Sequence, residues 1–144
     1  MKNVVIACML LLPFGLFAQI LEEGVTIQPL VIKDQFEKNM LIEAETKQIL
    51  IAFTKEQGEI IKTVLEANPN YLRDNKALYL MDASSVPGLV MSMFMLPKFK
   101  KYSYAVGLLE KEQDVAYFPK KENSLTIVSL NNFTVASIEF KEKL

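Results

Sequence analysis

The chain opens with one lysine and an unbroken uncharged run, Val4–Ala18, and then settles into short apolar bursts separated by polar turns. Val25–Ile32 (VTIQPLVI) alternates apolar and polar positions around Pro29, which predicts an edge or bulged strand. Lys33–Asn39 is a polar turn and Met40–Ile42 resumes an extended run, so the two strands form a hairpin. Gln48–Phe53 (QILIAF) is continuously apolar after its first residue, as in a central strand covered on both faces. Thr54–Gly58 interrupts it as a loop. Glu59–Ala67 then carries Ile60, Ile61, Val64 and Leu65 at helical spacing, with acidic residues near the positive end of the helix dipole.

Asn68-Pro69-Asn70 stops that helix, Tyr71–Asn75 is a further turn, and Ala77–Met81 (ALYLM) is a second buried strand. Ser84–Pro87 supplies hydroxyl caps and a first-turn proline for a helix carrying Leu89–Leu96 and ending before Pro97. Tyr104–Leu109 reads as a third strand, Glu110–Asp114 as a charged turn and Val115–Phe118 as an extended run. Leu125–Leu130 and Phe133–Phe140 are two more strands joined by a tight turn at Asn131-Asn132. Strands alternating with helices imply a parallel central pair, and the hairpin-rich tail implies antiparallel additions. The expected class is α/β, with a mixed central sheet in three layers.

Composition bounds the chemistry. Of 144 residues 51% are hydrophobic and 23% charged, with a net charge of −1, a balance that fits a packed domain and excludes a polybasic nucleic-acid coat. The chain has no His and no Trp, and only one Cys and one Arg. Ser/His/Asp triads and His-ligated zinc or haem therefore have no residues to use. Met1–Ala18 has the basic start, apolar stretch and small-residue exit of a secretory signal peptide, with cleavage expected after Ala18 and a periplasmic or secreted destination. Its apolar run is shorter than the roughly 20 residues of a spanning helix, so no membrane insertion is expected once it is removed. Cys8 lies inside it, too early for a lipoprotein cysteine, and would leave with it. Residues 19–144 then form a single domain without Cys or His, carrying 15 basic and 17 acidic residues.

The order of elements resembles the thioredoxin-like superfamily, particularly its exported peroxiredoxin and thiol-disulfide oxidoreductase branch. The resemblance rests on the hairpin around Leu30–Phe36, the strand Ile49–Phe53, the helix Glu59–Ala67, and Tyr79–Asp82 followed by Ser84–Pro87 and the helix to Leu96. It implies a thioredoxin-like three-layer fold with an N-terminal β-hairpin. It also implies a redox loop after the first central strand, where this chain has Thr54-Lys55-Glu56-Gln57-Gly58 and no thiol, and no other side chain there can act as a thiolate. The cis-proline that the superfamily places before the third strand is replaced by Tyr102-Ser103-Tyr104. The segments FTKEQG, YLMDASSVP, FMLPKFKKYSYAV and AYFPKKENSLTIVSL look like a group of small exported bacterial proteins, some labelled FAD/FMN-containing dehydrogenases. No G-x-G-x-x-G follows any strand, so no cofactor is expected.

The candidate binding site is the degenerate loop Thr54, Lys55, Glu56, Gln57 and Gly58 with Asp82, Ser84, Ser85 and Pro87, all at strand ends where α/β sheets place ligands. Lys55 could meet an anion at the helix start, though the loop is equally a solvated surface. Asp82 and the serines could also simply cap the next helix. Met91, Met93 and Met95 could ligate Cu(I), but helical geometry puts Met91 and Met95 on one face and Met93 nearly opposite, as core packing would. Lys98–Tyr102 mixes basic and aromatic residues, which charge compensation at a helix end explains without nucleic acid. Glu43/Glu45 and Glu110/Glu112 fall in surface segments. The expected function is a binding or accessory module for a protein or small-molecule partner in the cell envelope. The rivals are a component of an oxidoreductase system using flavin or a partner's thiol, and a structural envelope protein that adds Phe133–Phe140 to a partner sheet.

Overall fold

The computed structural model describes residues 19–144, so Met1–Ala18, expected as a signal peptide, and Cys8 within it lie outside the described residues. Seven strands form one mixed sheet: β1 (Ile32–Asp34), β2 (Asn39–Met40), β3 (Gln48–Ala52), β4 (Ala77–Asp82), β5 (Gly107–Leu109), β6 (Leu125–Asn131) and β7 (Thr134–Lys141). Their order is β2-β1-β5-β4-β3-β6-β7. β4 runs parallel to both β3 and β5, and the remaining pairs are antiparallel. The helical elements are α1 (Lys55–Ala67), α2 (Tyr71–Asp74), α3 (Gly88–Val90), a π-helical segment Met91–Met95, α4 (Leu96–Phe99) and α5 (Glu112–Tyr117). Among the described residues no helix is long and apolar enough to cross a membrane.

Side chains alternate across the sheet and so build two cores. Ile49, Ile51, Leu80 and Val128 face one way, under Tyr117 of α5 and the N-terminal Leu21 and Ile27. Leu50, Ala52, Tyr79 and Ile127 face the other, under Ile61 and Leu65 of α1, Met91 and Phe99. The result is the expected three-layer, mixed α/β architecture. β5 lies so close to its neighbours that Gly107 is required. A Cβ there would stand 2.6 Å from Leu80 Cδ2, 2.8 Å from Met40 Sδ and 2.9 Å from Ile32 Cγ2.

Several local expectations are corrected. Residues 25–27 do not belong to the first hairpin, because they lie along the edge of β7. The Gly24 amide donates to Val135 O at 2.8 Å, the Val135 amide to Val25 O at 2.9 Å and the Ile27 amide to Phe133 O at 2.8 Å. The hairpin strand starts only at Ile32, beyond Pro29, and its turn is organised by Asp34, whose Oδ1 accepts from the amides of Phe36 and Lys38. Glu110–Asp114 and Val115–Phe118, read as turn and strand, instead contain α5. Tertiary contacts fix this short helix: Tyr117 O accepts from Leu21 N, and Tyr117 Oη accepts from Gln28 N at 2.9 Å. The third strand starts at Gly107 instead of Tyr104. The β6–β7 turn is centred on Asn132 and Phe133, both at positive φ (48° and 68°), one residue beyond the Asn131-Asn132 dipeptide.

Gln35 is buried and locks the hairpin to the segment before β5. Its Nε2 donates to Phe99 O at 3.2 Å and Tyr104 O at 2.8 Å, and its Oε1 accepts from Val106 N at 2.8 Å.

Candidate functional site

The first central strand, β3, ends at Ala52, and α1 starts almost at once. Lys55–Gly58, expected as a loop, forms its first turn. The reason is a reciprocal cap written in the sequence as Thr-x-x-Gln. The Gln57 amide donates to Thr54 Oγ1 at 3.2 Å, while Gln57 Oε1 accepts from the Phe53 amide at 2.8 Å. Thr54 and Gln57 thus hold the helix start in the segment where the resemblance implied a redox loop. Glu56 is exposed in that first turn and points to no partner in the site.

Asp82, at the end of β4, takes a different role from a helix cap. Its Oδ1 accepts from Ser84 N at 2.9 Å and Ser84 Oγ at 2.7 Å, closing a local turn. Pro87 precedes α3 with no side-chain cap. Helical backbone then continues past Pro97 to Phe99 instead of stopping before it. Pro97 therefore lies inside a continuous helical stretch, directly after a π turn at Met91–Met95 in which the Leu96 amide donates to Met91 O, five residues back. Met91 is buried in the second core, Met95 packs beside it, and Met93 is exposed, so the three thioethers do not converge. Glu43, Glu45, Glu110 and Glu112 are exposed, as their surface segments predict.

Between α1, the end of β4 and the segment Val86–Tyr102 lies a cleft of about 480 Å³. Of the predicted site residues it gathers Thr54, Lys55, Gly58, Asp82 and Ser85, whereas Glu56, Gln57, Ser84 and Pro87 lie outside its lining. The rest of the lining was not anticipated as part of this site: Phe53, Tyr79, Met81, Val86, Phe94, Met95, Phe99 and Tyr102, with the pair Glu59–Lys98. Lys98 Nζ lies 3.3 Å from Glu59 Oε1. Burial acts to lower the Lys98 ammonium, but the hydrogen bond to Glu59, aided by Tyr102 nearby, outweighs it and holds the pKa above its ordinary value. No sequence spacing marks this pair, whose members are 39 residues apart.

Aromatic rings floor the cleft. Tyr102 stacks on Tyr104 at 5.0 Å and tilts against Phe99 at 5.6 Å, and Tyr104 reaches Tyr79 at 6.2 Å. Tyr79 is 1% exposed, with its pKa pushed well above the ordinary tyrosine value by burial and by the neighbouring Tyr104, Tyr102 and Glu59. Tyr104 is raised as well, chiefly by burial, and its Oη is buried without a hydrogen-bond partner among the described residues.

Tyr102-Ser103-Tyr104, read as the counterpart of the cis-proline segment, leads toward β5 and supplies rings to this floor; the described residues contain no cis peptide bond. The segment beside the end of β3 is the entrance to β6, through the Ile51–Thr126 pairing, with Lys120 Nζ 5.4 Å from the Phe53 ring.

No family model matches the chain, and no curated protein matches it. Solved structures do. A peroxiredoxin-like protein from Aquifex aeolicus superposes with a TM-score of 0.54 at 11% identity, over 86% of this chain and 78% of that one. The thioredoxin domain of a thiol-disulfide oxidoreductase from Bacteroides vulgatus gives 0.53 at 14% identity, over 83% and 89%. A peroxidoxin from Mycobacterium tuberculosis gives 0.52 at 12% identity, over 83% and 86%. What is shared at such identities is backbone architecture: the chain has the thioredoxin-like fold.

Proposed function

We propose that residues 19–144 are an exported, single-domain binding or accessory module of the cell envelope, released by cleavage after Ala18, that works through the cleft and not through thiol chemistry. The observation that carries this reading is the cleft itself. It opens at the carboxyl ends of the parallel pair β3 and β4, where open α/β sheets receive ligands. At that place the sequence supplies a helix cap, Thr54 with Gln57, instead of a nucleophile. Thiolate exchange and peroxide reduction both need a cysteine, and residues 19–144 have none.

The test is to recover the protein from the periplasm of an expressing bacterium and record its native mass spectrum and visible absorption. The expected result is a chain beginning at Gln19 that carries a non-covalent adduct lost on denaturation, with no flavin absorption. A flavin spectrum would transfer the assignment to an oxidoreductase component. A chain retaining Met1–Ala18 would overturn export with cleavage.

A further inference from the structure

The polar groups of the cleft are unequally engaged. At the mouth, Lys98 is neutralised by Glu59, Asp82 is occupied by Ser84, and Thr54 Oγ1 accepts from the Gln57 amide. Lys55 and Ser85 have no such partner among the described residues but are exposed to solvent, and Tyr79 is the buried exception. It is almost fully buried in the middle of β4, it lines the cleft, and its hydroxyl makes no hydrogen bond to another described residue. The hydroxyl is not among the wholly enclosed unpartnered groups, so it opens onto the cleft with its donor free for an acceptor there.

Gly58 is the second observation. It sits inside the first turns of α1, where glycine weakens a helix relative to alanine, and it has no positive φ to justify it. What it provides is space. A Cβ there would already stand 3.5 Å from Tyr79 Oη and 3.2 Å from Met81 Cε, so a larger side chain would compete with a ligand for the room beside the hydroxyl. The walls next to this space are Met81, Val86, Phe94, Met95 and Phe99.

We propose that the cleft takes an uncharged, largely apolar ligand whose buried end is a hydrogen-bond acceptor, received by the Tyr79 hydroxyl in the space that Gly58 leaves open. This rests on the binding reading above and names its ligand class. A carbonyl or ether oxygen would satisfy the hydroxyl without bringing charge inside. A carboxylate at the buried end would have to be desolvated beside a neutral donor, because of the two lining cations Lys98 is paired with Glu59 and Lys55 is exposed to solvent in the first turn of α1. The raised pKa of Tyr79 agrees with a hydroxyl that stays protonated and donates.

The experiment is an amide-detected NMR titration of the purified chain with three probes of similar size, acetophenone, toluene and benzoate. Acetophenone should shift the amides of Gly58, Met81 and Phe94 and bind about tenfold more tightly than toluene, the worth of one buried hydrogen bond, with benzoate weakest. Tyr79→Phe should bring acetophenone down to the toluene affinity and leave toluene unchanged. Gly58→Leu should abolish both, and Gly58→Ala should weaken both if the larger residue unfolds the chain. Benzoate binding most tightly, or an acetophenone preference that survives Tyr79→Phe, overturns the ligand class while leaving a binding cleft. No response at the cleft to any probe overturns the proposal, and the mass spectrum of the recovered protein then decides the binding reading separately.

Discussion

The two faces of the sheet use the same kinds of residue to different ends. On one face Ile49, Ile51, Leu80 and Val128 are closed off by α5 and the N-terminal segment, and the polar groups that enter are bonded: Tyr117 Oη receives the Gln28 amide. On the other face α1 and the helical stretch Gly88–Phe99 part over the end of β4. That leaves a cleft with the Tyr79 hydroxyl opening onto its floor and the buried Tyr104 hydroxyl unpartnered behind it. Phe94, at 67% exposure, stands at the cleft's edge, and Leu89 and Met93 continue this apolar surface. The closed face spends its residues on stability. The open face gives up packing and a better helix residue at Gly58, a loss that makes sense where a site is being kept open.

The contrast is sharpened most strongly by truncation. Ile51→Ala, in the closed face, should cost about 2–5 kcal/mol in urea unfolding, because a buried branched side chain leaves a cavity there. Met95→Ala, in the cleft wall and already half-buried, should cost about 1 kcal/mol or less. Equal losses would mean that the second face is as closed as the first.

Gln35→Leu comes next, at about 2–3 kcal/mol, since it leaves Val106 N and two carbonyls without their buried partner. Gly107→Ala should cost about 1–3 kcal/mol by overpacking Leu80, Met40 and Ile32. Both are read as shifts in the urea midpoint, and both should leave probe binding at the cleft intact. A loss of binding in a folded variant would couple the hairpin to the site.

How much of this was legible beforehand depends on whether the deciding interactions are local. β3, β4 and the body of α1 follow from apolar runs and 3.6-residue spacing, and the general position of strand ends in α/β sheets picks out Thr54, Lys55, Gly58, Asp82 and Ser85, which the structure brings into one cleft lining. The start of α1 has a local signature too, Thr54-x-x-Gln57, which makes Thr54–Gly58 a cap and first turn where its polar composition alone reads as a loop. Other features have no local signature. Six residues of α5 are too few to show a period and depend on Leu21 and Gln28, 89 residues distant in the latter case. Tyr79 inside ALYLM reads as ordinary core, and only the gap above Gly58 opens its hydroxyl to a cavity. Lys98 looked like a compensating charge at a helix end until the fold brought Glu59 to it.

The tyrosines give a smaller effect of definite sign. Tyr79 and Tyr104 have folded-state values raised above the unfolded value of about 10, so above that pH the unfolded chain binds fewer protons than the native one. Stability should therefore be flat through neutral pH and fall as pH rises beyond about 10, by about 1.4 kcal/mol per unit for the buried Tyr79 and by less for Tyr104, which is only partly buried. Urea unfolding between neutral and alkaline pH checks this. Tyr79→Phe should make the decline shallower, and an unchanged decline would mean Tyr79 is not protected.

Smallest is the mouth of the cleft. Lys98→Met should change stability by less than about 1 kcal/mol, because both members of the pair are half-exposed. The raised Lys98 value puts its contribution in full below the ordinary lysine range and removes it as pH rises through the folded value. A stability change in Lys98→Met that grew at alkaline pH would contradict this.

The central claim is that the open face is a ligand site kept clear by Gly58. The most direct measurement is the native mass spectrum of wild-type and Gly58→Leu protein recovered side by side, with circular dichroism confirming that both are folded. The wild type should carry a dissociable adduct and Gly58→Leu should carry none. Equal adduct occupancy in the two folded proteins would contradict the account.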